Sequence, residues 1–505
     1  MTLKQAISEI SLRKRQNTEL VQQNEALIRQ TDSLRHQIDQ LQRRLYGPKS
    51  EQYHPDQLFL DELLKSTQAE TPVPEVEVLV KATVRRKARP HGRLKLPEHM
   101  KRVDVVLDLS EEEKIDPQTG QALIKLRDEI SEKVAWDPGK WYVKRFVRPV
   151  YVHPERRSEK AGIYVAPMPD SPIAKCKADN SVLALVGIQK FVDHLPLYRQ
   201  AQIFKREGFD VATSTLNAWA VEPMLALSPL VEAMKRDVLK RPCLFTDDTP
   251  LAMLQPGHGK TKTARMWVYV GGCGPPHRFF EFSEDRAGRH PFDVMSGYRG
   301  FVHADAYSGY DKLFATNKLA VEVGCWAHAR RKFDEAQSSA VQASSEVLAQ
   351  IRELYRIEKM GRGKSAEERL AARKLESLPL LDDLYERFER MKTEALPASV
   401  LGKAIGYALN QREALYRFTT DGRVEIDNNT AENAIRPLAL GRKNWLFAGS
   451  RRGGQACANA LSLLQSAKAV GINPYDYLHD VYNRIMSYPV TRLDELLPHA
   501  WKLEH

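Results

Sequence analysis

The chain has 505 residues, with 76 Lys and Arg against 65 Asp and Glu, a net charge of +11 and an isoelectric point near 9.2. A chain of this length is too long for a single hydrophobic core, and we expect about three domains. The excess of cations favours a polyanionic partner. Five scattered cysteines without a C-x-x-C pair argue against a disulfide framework and a thiolate zinc site. A polar N-terminus and the lack of a long apolar run predict a soluble protein of the cytoplasm, without a signal peptide or membrane span.

Residues 1–47 predict a coiled coil that joins two copies of the chain. No Gly or Pro interrupts the helical pattern before Gly47, and leucines recur at seven-residue spacing. Asn17 and Asn24 share the seam, where a buried Asn favours a two-stranded register. A single amphipathic helix packed on the body is the alternative, but the unbroken heptad favours a homodimer. The heptad leucines are Leu20, Leu27, Leu34 and Leu41.

The composition of residues 48–100 predicts a linker with a basic tract, and residues 101–170 predict a small β-rich module. The tract includes Arg85, Arg86 and Lys87, which would either follow DNA phosphates or keep the linker soluble. In the module, KWYVKRFVRPVYVH alternates apolar and basic residues, as strands do. A half-polar strand face would give the same alternation, so DNA contact by the module stays open.

Residues 171–240 predict helices with the outline of a helix-turn-helix. One helix ends near Gly208, and Thr213, Ser214 and Thr215 are expected to cap a second helix that carries Trp219. That second helix would enter the major groove, with Thr215 among its DNA contacts. A helical hairpin without DNA-binding function would show the same pattern.

Residues 241–334 predict the first part of an α/β catalytic core that is ribonuclease-H-like. Short apolar strands alternate with turns and helices in the order strand, strand, strand, helix, strand, helix, strand. The first strand delivers Asp247 and Asp248, and the fourth delivers Asp305. Acids at the ends of neighbouring strands can share divalent metal ions, for which carboxylate oxygens are the preferred ligands. Residues 335–422 are charged and helical, and predict an insertion in this core.

Residues 423–505 begin with acids followed by a dense set of cations and end in further helices. Glu432 opens the helical pattern and is the candidate third acid. A site that holds metal on carboxylates and DNA on arginines would need this mixture. The alternative is that these charges only lie on the solvated start of a helix. Asp427 or Asn428 would cap this helix, and it would end at Pro437.

Several segments together resemble the insertion sequence 66 transposase family, the large TnpC-type protein. They are FTDDTPLAML, HADAYSGYDKLF, GCWAHARRKF, DNNTAENAIRPLALGRKNWLFAGSRRGG and LLQSAKAVGINPYDYL. The resemblance implies a DDE recombinase in which Asp247, Asp305 and Glu432 bind Mg2+ or Mn2+. It also implies terminal inverted repeats and target DNA as substrates, and accessory proteins of the same element as partners. The cations in these segments would be DNA contacts: His328, Arg330, Arg331, Arg436, Arg442, Lys443, Arg451 and Arg452.

The chain departs from the family pattern in its cysteines and beside two of its acids. Where the family carries four zinc-binding cysteines, this chain has other residues, so we expect no structural zinc. Asp248 stands where the family has Glu, and Asn433 where it has Arg. The residues at the cysteine positions are Asp116, Thr119, His153 and Arg156.

The leading hypothesis is a DNA transposase that acts at the nucleoid, cleaves strands at the element ends with metal assistance and joins the freed 3′ hydroxyl to target DNA. A second hypothesis is a DNA-binding remnant without catalysis. It is left open by the missing cysteines and by Asn433, which stands where the family has Arg. A nuclease that never joins strands would use the same acids.

Overall fold

The computed structural model describes most of the chain from residue 96 onward. Four features that the sequence predicts lie outside the described residues and stay predictions. They are the coiled coil, most of the linker, the tract Arg85–Lys87 and the four positions at which the family has cysteines. The described residues are 96, 98, 100–115, 121–137, 139–152, 163–255 and 260–502.

The described chain forms two compact units. One, here called the helical unit, comprises His303–Ala306 and Glu322–Asn429. The other, here called the sheet unit, comprises the described residues up to Val302, Tyr307–Val321 and the residues from Thr430 onward. Asp247 and Glu432 therefore lie in the sheet unit, and Asp305 lies in the helical unit.

The sheet unit begins with a four-stranded sheet, where the sequence predicts a β-rich module. The central strand β3 pairs antiparallel with β2 over its whole length, parallel with β1 at its start and antiparallel with β4 at its end. Gly139, with a φ of +86°, forms the tight turn between β2 and β3, a conformation that glycine adopts at little cost. The strands are β1 (Arg102–Val106), β2 (Ile124–Asp137), β3 (Lys140–Val152) and β4 (Ile163–Val165).

Four helices follow, in a region where the sequence predicts helices: α1 (Asn180–Phe191), α2 (Leu197–Arg206), α3 (Thr213–Ala226) and α4 (Ser228–Leu239). Gly208, with a φ of +88°, separates α2 from α3. The expected cap is wrong, because Thr213–Thr215 form the first turn of α3 and Ala212 precedes it without a side-chain capping bond. Trp219 is buried and stacks on Phe209, which removes it from any surface that DNA would touch.

A five-stranded sheet follows along the chain, with strand order β7-β6-β5-β8-β9. Strands β5, β6 and β7 form an antiparallel meander, and the succession of strands and helices agrees with the predicted order. A 3-10 turn at Ser308–Tyr310 precedes α6. The elements are β5 (Cys243–Leu254), β6 (Thr261–Gly272), β7 (Arg278–Ser283), α5 (Arg289–Met295), β8 (Gly300–His303), α6 (Asp311–Thr316) and β9 (Ala320–Val323).

The helical unit contains the helices expected between the last strand and the third acid. Arg373 lies in a π-helical turn (Arg373–Ser377) and is buried, where it donates two hydrogen bonds to Glu358 at 2.7 and 2.6 Å. Such a bidentate pair holds helices together with fixed geometry. The helices are α7 (Trp326–Ala336), α8 (Val341–Met360), α9 (Ala366–Ala372), α10 (Leu378–Glu394), α11 (Val400–Asn410) and α12 (Arg412–Tyr416), followed by a 3-10 turn at Arg417–Thr419.

The described residues end with the helices α13 (Asn429–Trp445), α14 (Arg451–Ala469) and α15 (Pro474–Arg484) and a 3-10 stretch at Val490–Leu496. The expected end at Pro437 is wrong, since α13 continues through this proline. Asn433, one turn earlier, is exposed, so water can satisfy the carbonyl that a proline leaves without a donor. No helix in the described part of the chain is both long and apolar enough to cross a membrane.

Candidate functional site

Asp247 and Asp248 are adjacent on β5 but face opposite sides of the sheet, because side chains alternate along a strand. The backbone N–H of Asp248 donates to the Asp247 carboxylate at 2.7 Å. Thr249 shares a face with Asp247, whereas Trp267 lies opposite Asp248 on β6. The two acids therefore cannot serve one site together.

The Asp248 carboxylate is held by two arginines that the sequence analysis did not single out. Its side chain is only 2% exposed and lies 3.1 Å from the Arg265 guanidinium and 2.9 Å from that of Arg286. The Arg286 guanidinium also stacks on Tyr307, with its Cζ 4.0 Å from the ring centroid. Asp248 thus fixes the turn after β7 against β5, and Asp247 is the acid of the pair that remains as a candidate metal ligand.

Arg442 attaches α13 to β5 on the face that carries Asp247. Its guanidinium donates to the Thr249 hydroxyl at 2.9 Å and to the Pro250 carbonyl at 2.6 Å. Further along, Ala448 pairs with the end of β5 through two backbone hydrogen bonds. The chain from Ala448 back to Arg442 thus runs from the end of β5 towards Asp247, and α13 continues in that direction towards Glu432.

Glu432 lies in the first turn of α13 and is 4% exposed. Carboxylates with so little exposure are paired, hydrogen-bonded or bound to a metal ion, and carboxylate oxygens are ligands that divalent cations accept.

Asp305 follows β8 by two residues and belongs to the helical unit. Two contacts fix this segment: the N–H of Ala304 donates to the Val323 carbonyl at 3.2 Å, and the His303 imidazole accepts from the N–H of Glu425 at 3.1 Å. Asp305 is therefore presented on a backbone that is anchored immediately before it.

The acids that precede Glu432 have structural partners within the helical unit. Asp427 accepts from the Tyr355 hydroxyl at 2.9 Å and from the N–H of Asn429 at 3.1 Å, so of the two caps that the alternative interpretation allowed, Asp427 holds the start of α13. Burial raises the pKa of Asp427 above its usual value. Glu425 forms an ion pair with Arg369 at 2.9 Å.

The candidate DNA contacts are divided between the two units. His328, Arg330 and Arg331 lie on α7 of the helical unit. Burial, with the nearby Arg331 and Lys332, lowers the pKa of His328 to about 3, so it is a neutral imidazole at neutral pH. Any contact of His328 with phosphate would thus be a hydrogen bond without charge.

In the sheet unit, Arg436, Arg442 and Lys443 lie on α13, and Arg451 and Arg452 open α14. Lys443, Arg451 and Arg452 are exposed, whereas Arg442 is engaged with β5 as described above. The partly exposed Thr215 lies in the first turn of α3.

Comparison with known proteins defines the class as a transposase. A family model described as "Transposase IS66 family" matches residues 175–456, one described as "IS66 C-terminal element" matches 462–499, and one described as "Transposase C of IS166 homeodomain" matches 33–105. The chain belongs to the IS66 transposase family. Transposases of the DDE class, to which this family is assigned, generally use a divalent metal.

Similar proteins occur in Sinorhizobium fredii (strain NBRC 101917 / NGR234). The uncharacterized protein y4jD is 34% identical over 423 residues, which cover 81% of this chain and 82% of the relative. The uncharacterized protein y4qI is 34% identical over 430 residues, which cover 82% of this chain and 78% of the relative. The similarity therefore extends over most of each protein.

Proposed function

We propose that this protein is a DNA transposase that binds the terminal inverted repeats of its element, cleaves strands at their ends and joins them to target DNA. The observation that carries the proposal is the family match over residues 175–456, which contain Asp247 on β5, Asp305 just after β8 and Glu432 at the start of α13. The strand order β7-β6-β5-β8-β9 supports a ribonuclease-H-like core.

In this proposal Asp247, Asp305 and Glu432 hold Mg2+ or Mn2+. When bound, such an ion lowers the pKa of water and stabilises the charge that develops on phosphodiester oxygens. The chain itself orients the acids: β5 presents Asp247, the His303 contact anchors the segment of Asp305, and Arg442 attaches the helix of Glu432 to β5. The preference of Mg2+ and Mn2+ for carboxylate oxygens and the low exposure of Glu432 support this assignment.

We assign DNA binding to cations outside the carboxylates. Exposed Lys443, Arg451 and Arg452 would contact phosphates near the scissile bond, and α7 would add Arg330 and Arg331. The homeodomain-type match over 33–105 supports a second DNA-binding region that contains the tract Arg85–Lys87. The exposed first turn of α3, with Thr215, would provide a further contact.

The active form in this proposal is a homodimer joined by the predicted coiled coil, so that two element ends are held together. Accessory proteins encoded by the same element would assist it. Its place of action is the nucleoid, where both the element and its targets are found.

The test is cleavage of a labelled duplex that carries the element's own terminal repeat, with and without Mg2+. We expect nicking at the repeat boundary by the wild type, and loss of nicking in Asp247→Asn, Asp305→Asn and Glu432→Gln. Asp293→Asn is the matched control, because Asp293 is an exposed acid on α5 in the sheet unit. It should cleave as the wild type does.

Repeat binding measured on the same duplex separates catalysis from recognition. If the acid variants bind and also cleave like the wild type, the assignment of the three acids is wrong. If the wild type binds the repeat but never nicks it, with or without accessory proteins, the protein is a DNA-binding remnant. Cleavage without any joined product would favour a nuclease.

A further inference from the structure

Three consecutive large apolar residues, Trp445, Leu446 and Phe447, form the turn that follows α13, here called the apolar tip. Leu446 is 61% exposed and Phe447 is 37% exposed. A single exposed leucine is ordinary, whereas contiguous exposed apolar surface more often serves binding.

The backbone of the apolar tip is unusual for its sequence. Leu446 has a φ of +64°, and the N–H of Phe447 donates to the Trp445 carbonyl at 2.8 Å, which makes a three-residue γ-turn with Leu446 at its centre. This type of turn is strained, and glycine would form it at lower cost. A leucine that keeps a strained and exposed position points to a use for its side chain.

Hydrogen bonds fix the chain on both sides of the apolar tip. The N–H of Leu446 closes the end of α13 on the Arg442 carbonyl at 2.9 Å. After the tip, Ala448 donates to the Ala252 carbonyl at 2.8 Å and accepts from the N–H of Leu254 at 2.9 Å. The tip is therefore presented in one geometry by β5 and α13, the elements that carry Asp247 and Glu432.

The surroundings of the apolar tip are cationic. No Asp or Glu occurs between Glu432 and Asp476, whereas Lys443, Arg451 and Arg452 flank the tip. Arg451 lies 3.7 Å from Glu284 and Arg452 lies 2.7 Å from Glu222, but their side chains stay 81% and 66% exposed. Exposed cations around an apolar projection fit DNA, whose phosphates surround stacked bases.

We propose that the apolar tip enters the DNA at the element end: Leu446 inserts between two base pairs, and Phe447 stacks on the base that this insertion releases. The inference rests on the proposed function, because the DNA concerned is the substrate of cleavage. Apolar wedges unstack a base step, and aromatic rings hold unstacked bases of any sequence. The flanking cations would hold the phosphates on either side of the opened step.

The experiment uses full-length protein and a terminal-repeat duplex with 2-aminopurine at successive positions around the cleavage site. Ca2+ replaces Mg2+ so that binding is observed without cleavage. We expect a severalfold rise of fluorescence at one position with the wild type, and loss of most of this rise in Leu446→Ala and Phe447→Ala. Affinity should fall roughly fivefold to a hundredfold with an unchanged salt dependence, because stacking is lost and no phosphate contact is removed.

Two further variants separate the side chain of Leu446 from its backbone. Leu446→Gly removes the strain together with the side chain, so it should fold at least as stably and still lose the fluorescence rise. Leu446→Met keeps an apolar wedge and should keep the rise. Leu319→Ala is the matched control, because Leu319 is a leucine of the same unit with 54% exposure.

A wild type that gives no fluorescence change at any position, or a change that Leu446→Ala and Phe447→Ala retain, overturns the inference. These outcomes are independent of the cleavage assay. Cleavage by wild type with no base unstacking refutes the inference alone. Unstacking that depends on Leu446, in a protein that never cleaves in Mg2+, refutes the proposed catalysis and leaves the role of the apolar tip in place.

Discussion

Asp247 and Asp248 are neighbours of the same type whose surroundings give them different tasks. Asp248 is nearly inaccessible and pairs with Arg265 and Arg286, whereas Asp247 faces the side of β5 to which α13 attaches. Strand alternation alone separates the two faces. The identities of the residues on each face then decide which acid supports the fold.

Asp248→Asn is expected to destabilise the protein by about 2–4 kcal/mol, because two arginines lose the carboxylate between them. The lower part of this range allows for the partial exposure of Arg286. Asp247→Asn is the matched variant and should leave the unfolding free energy within about 0.5 kcal/mol while it abolishes cleavage. Urea unfolding and the repeat-cleavage assay measure the two effects. Equal loss of stability in both variants would refute the distinction.

Lys190 is a second residue with a defined electrostatic effect. Its ammonium lies 5.0 Å from the centroid of Trp445, and burial lowers its pKa from 10.5 to about 8. Between pH 8 and 10.5 the unfolded chain therefore binds a proton that the folded chain does not, and stability should rise with pH across this window. Below pH 8 the charged, buried lysine costs up to roughly 3 kcal/mol.

Lys190→Met should remove this rise and increase stability at pH 7, as measured by urea unfolding at several pH values. Lys312→Met is the control, since Lys312 also lies over an aromatic ring, that of Phe292 at 4.5 Å, but is exposed. It should retain the pH dependence of the wild type. A Lys190→Met protein with an unchanged rise would show that another group causes it.

At the scale of elements, the attachment of α13 to β5 decides how Glu432 is presented. Arg442→Gln should cost about 1.5–3 kcal/mol, because the bonds to Thr249 and Pro250 are lost. Cleavage should fall more than affinity for the repeat, since the helix that carries Glu432 loses an anchor.

Lys443→Gln, one residue further, provides the contrast. Lys443 is exposed, so stability should change by less than about 0.5 kcal/mol, whereas the slope of log affinity against log salt should decrease by about 0.9. Unfolding curves and binding isotherms at several salt concentrations distinguish the two variants. Identical profiles for Arg442→Gln and Lys443→Gln would contradict the assignment of Arg442 as an anchor.

The elements of the core were predictable from sequence because alternation, turn residues and strand-end acids are local signals. The strands from β5 to β9 and the helices between them lie where these signals indicate. The cap of α3 was not predictable, because Thr213–Thr215 have the composition of a cap but lie just inside the helix, after Ala212 at the cap position. Pro437 likewise suggested an end for α13. The helix continues because water can reach the carbonyl of the exposed Asn433, which lacks a donor from the proline.

The partners of Asp248 were beyond sequence reasoning for a different reason. Arg265 and Arg286 are 17 and 38 residues away along the chain, and only the pairing of β5 with β6 and the turn after β7 bring them to one carboxylate. The strain at Leu446 also has no signal in the sequence, since leucine gives no indication of a positive φ.

At the scale of the molecule, the predicted coiled coil determines whether two element ends can be held together. Its residues lie outside the described part of the chain, so the homodimer stays a prediction. Replacement of Leu27 and Leu34 by Lys should place charges in the seam and give a monomer in sedimentation equilibrium, where the wild type is expected to be a dimer. A wild type that sediments as a monomer at micromolar concentration would contradict it.

The variant with Lys at positions 27 and 34 also tests whether catalysis depends on dimer formation. If paired ends are required, the double Lys variant should bind a single repeat but yield few products in which two ends join one target. Products with both ends joined, formed by a monomeric variant at the rate of the wild type, would show that the predicted coiled coil has no part in the reaction.

The most direct test of the proposed function is strand joining. A terminal-repeat duplex with a recessed 3′ hydroxyl is incubated with a supercoiled target plasmid and Mg2+, using wild type and Glu432→Gln side by side. We expect the wild type to attach the labelled repeat strand covalently to the plasmid and Glu432→Gln to bind the repeat without joining it. Joined product from Glu432→Gln, or a wild type that only hydrolyses the DNA with its accessory proteins present, would contradict a transposase built on these acids.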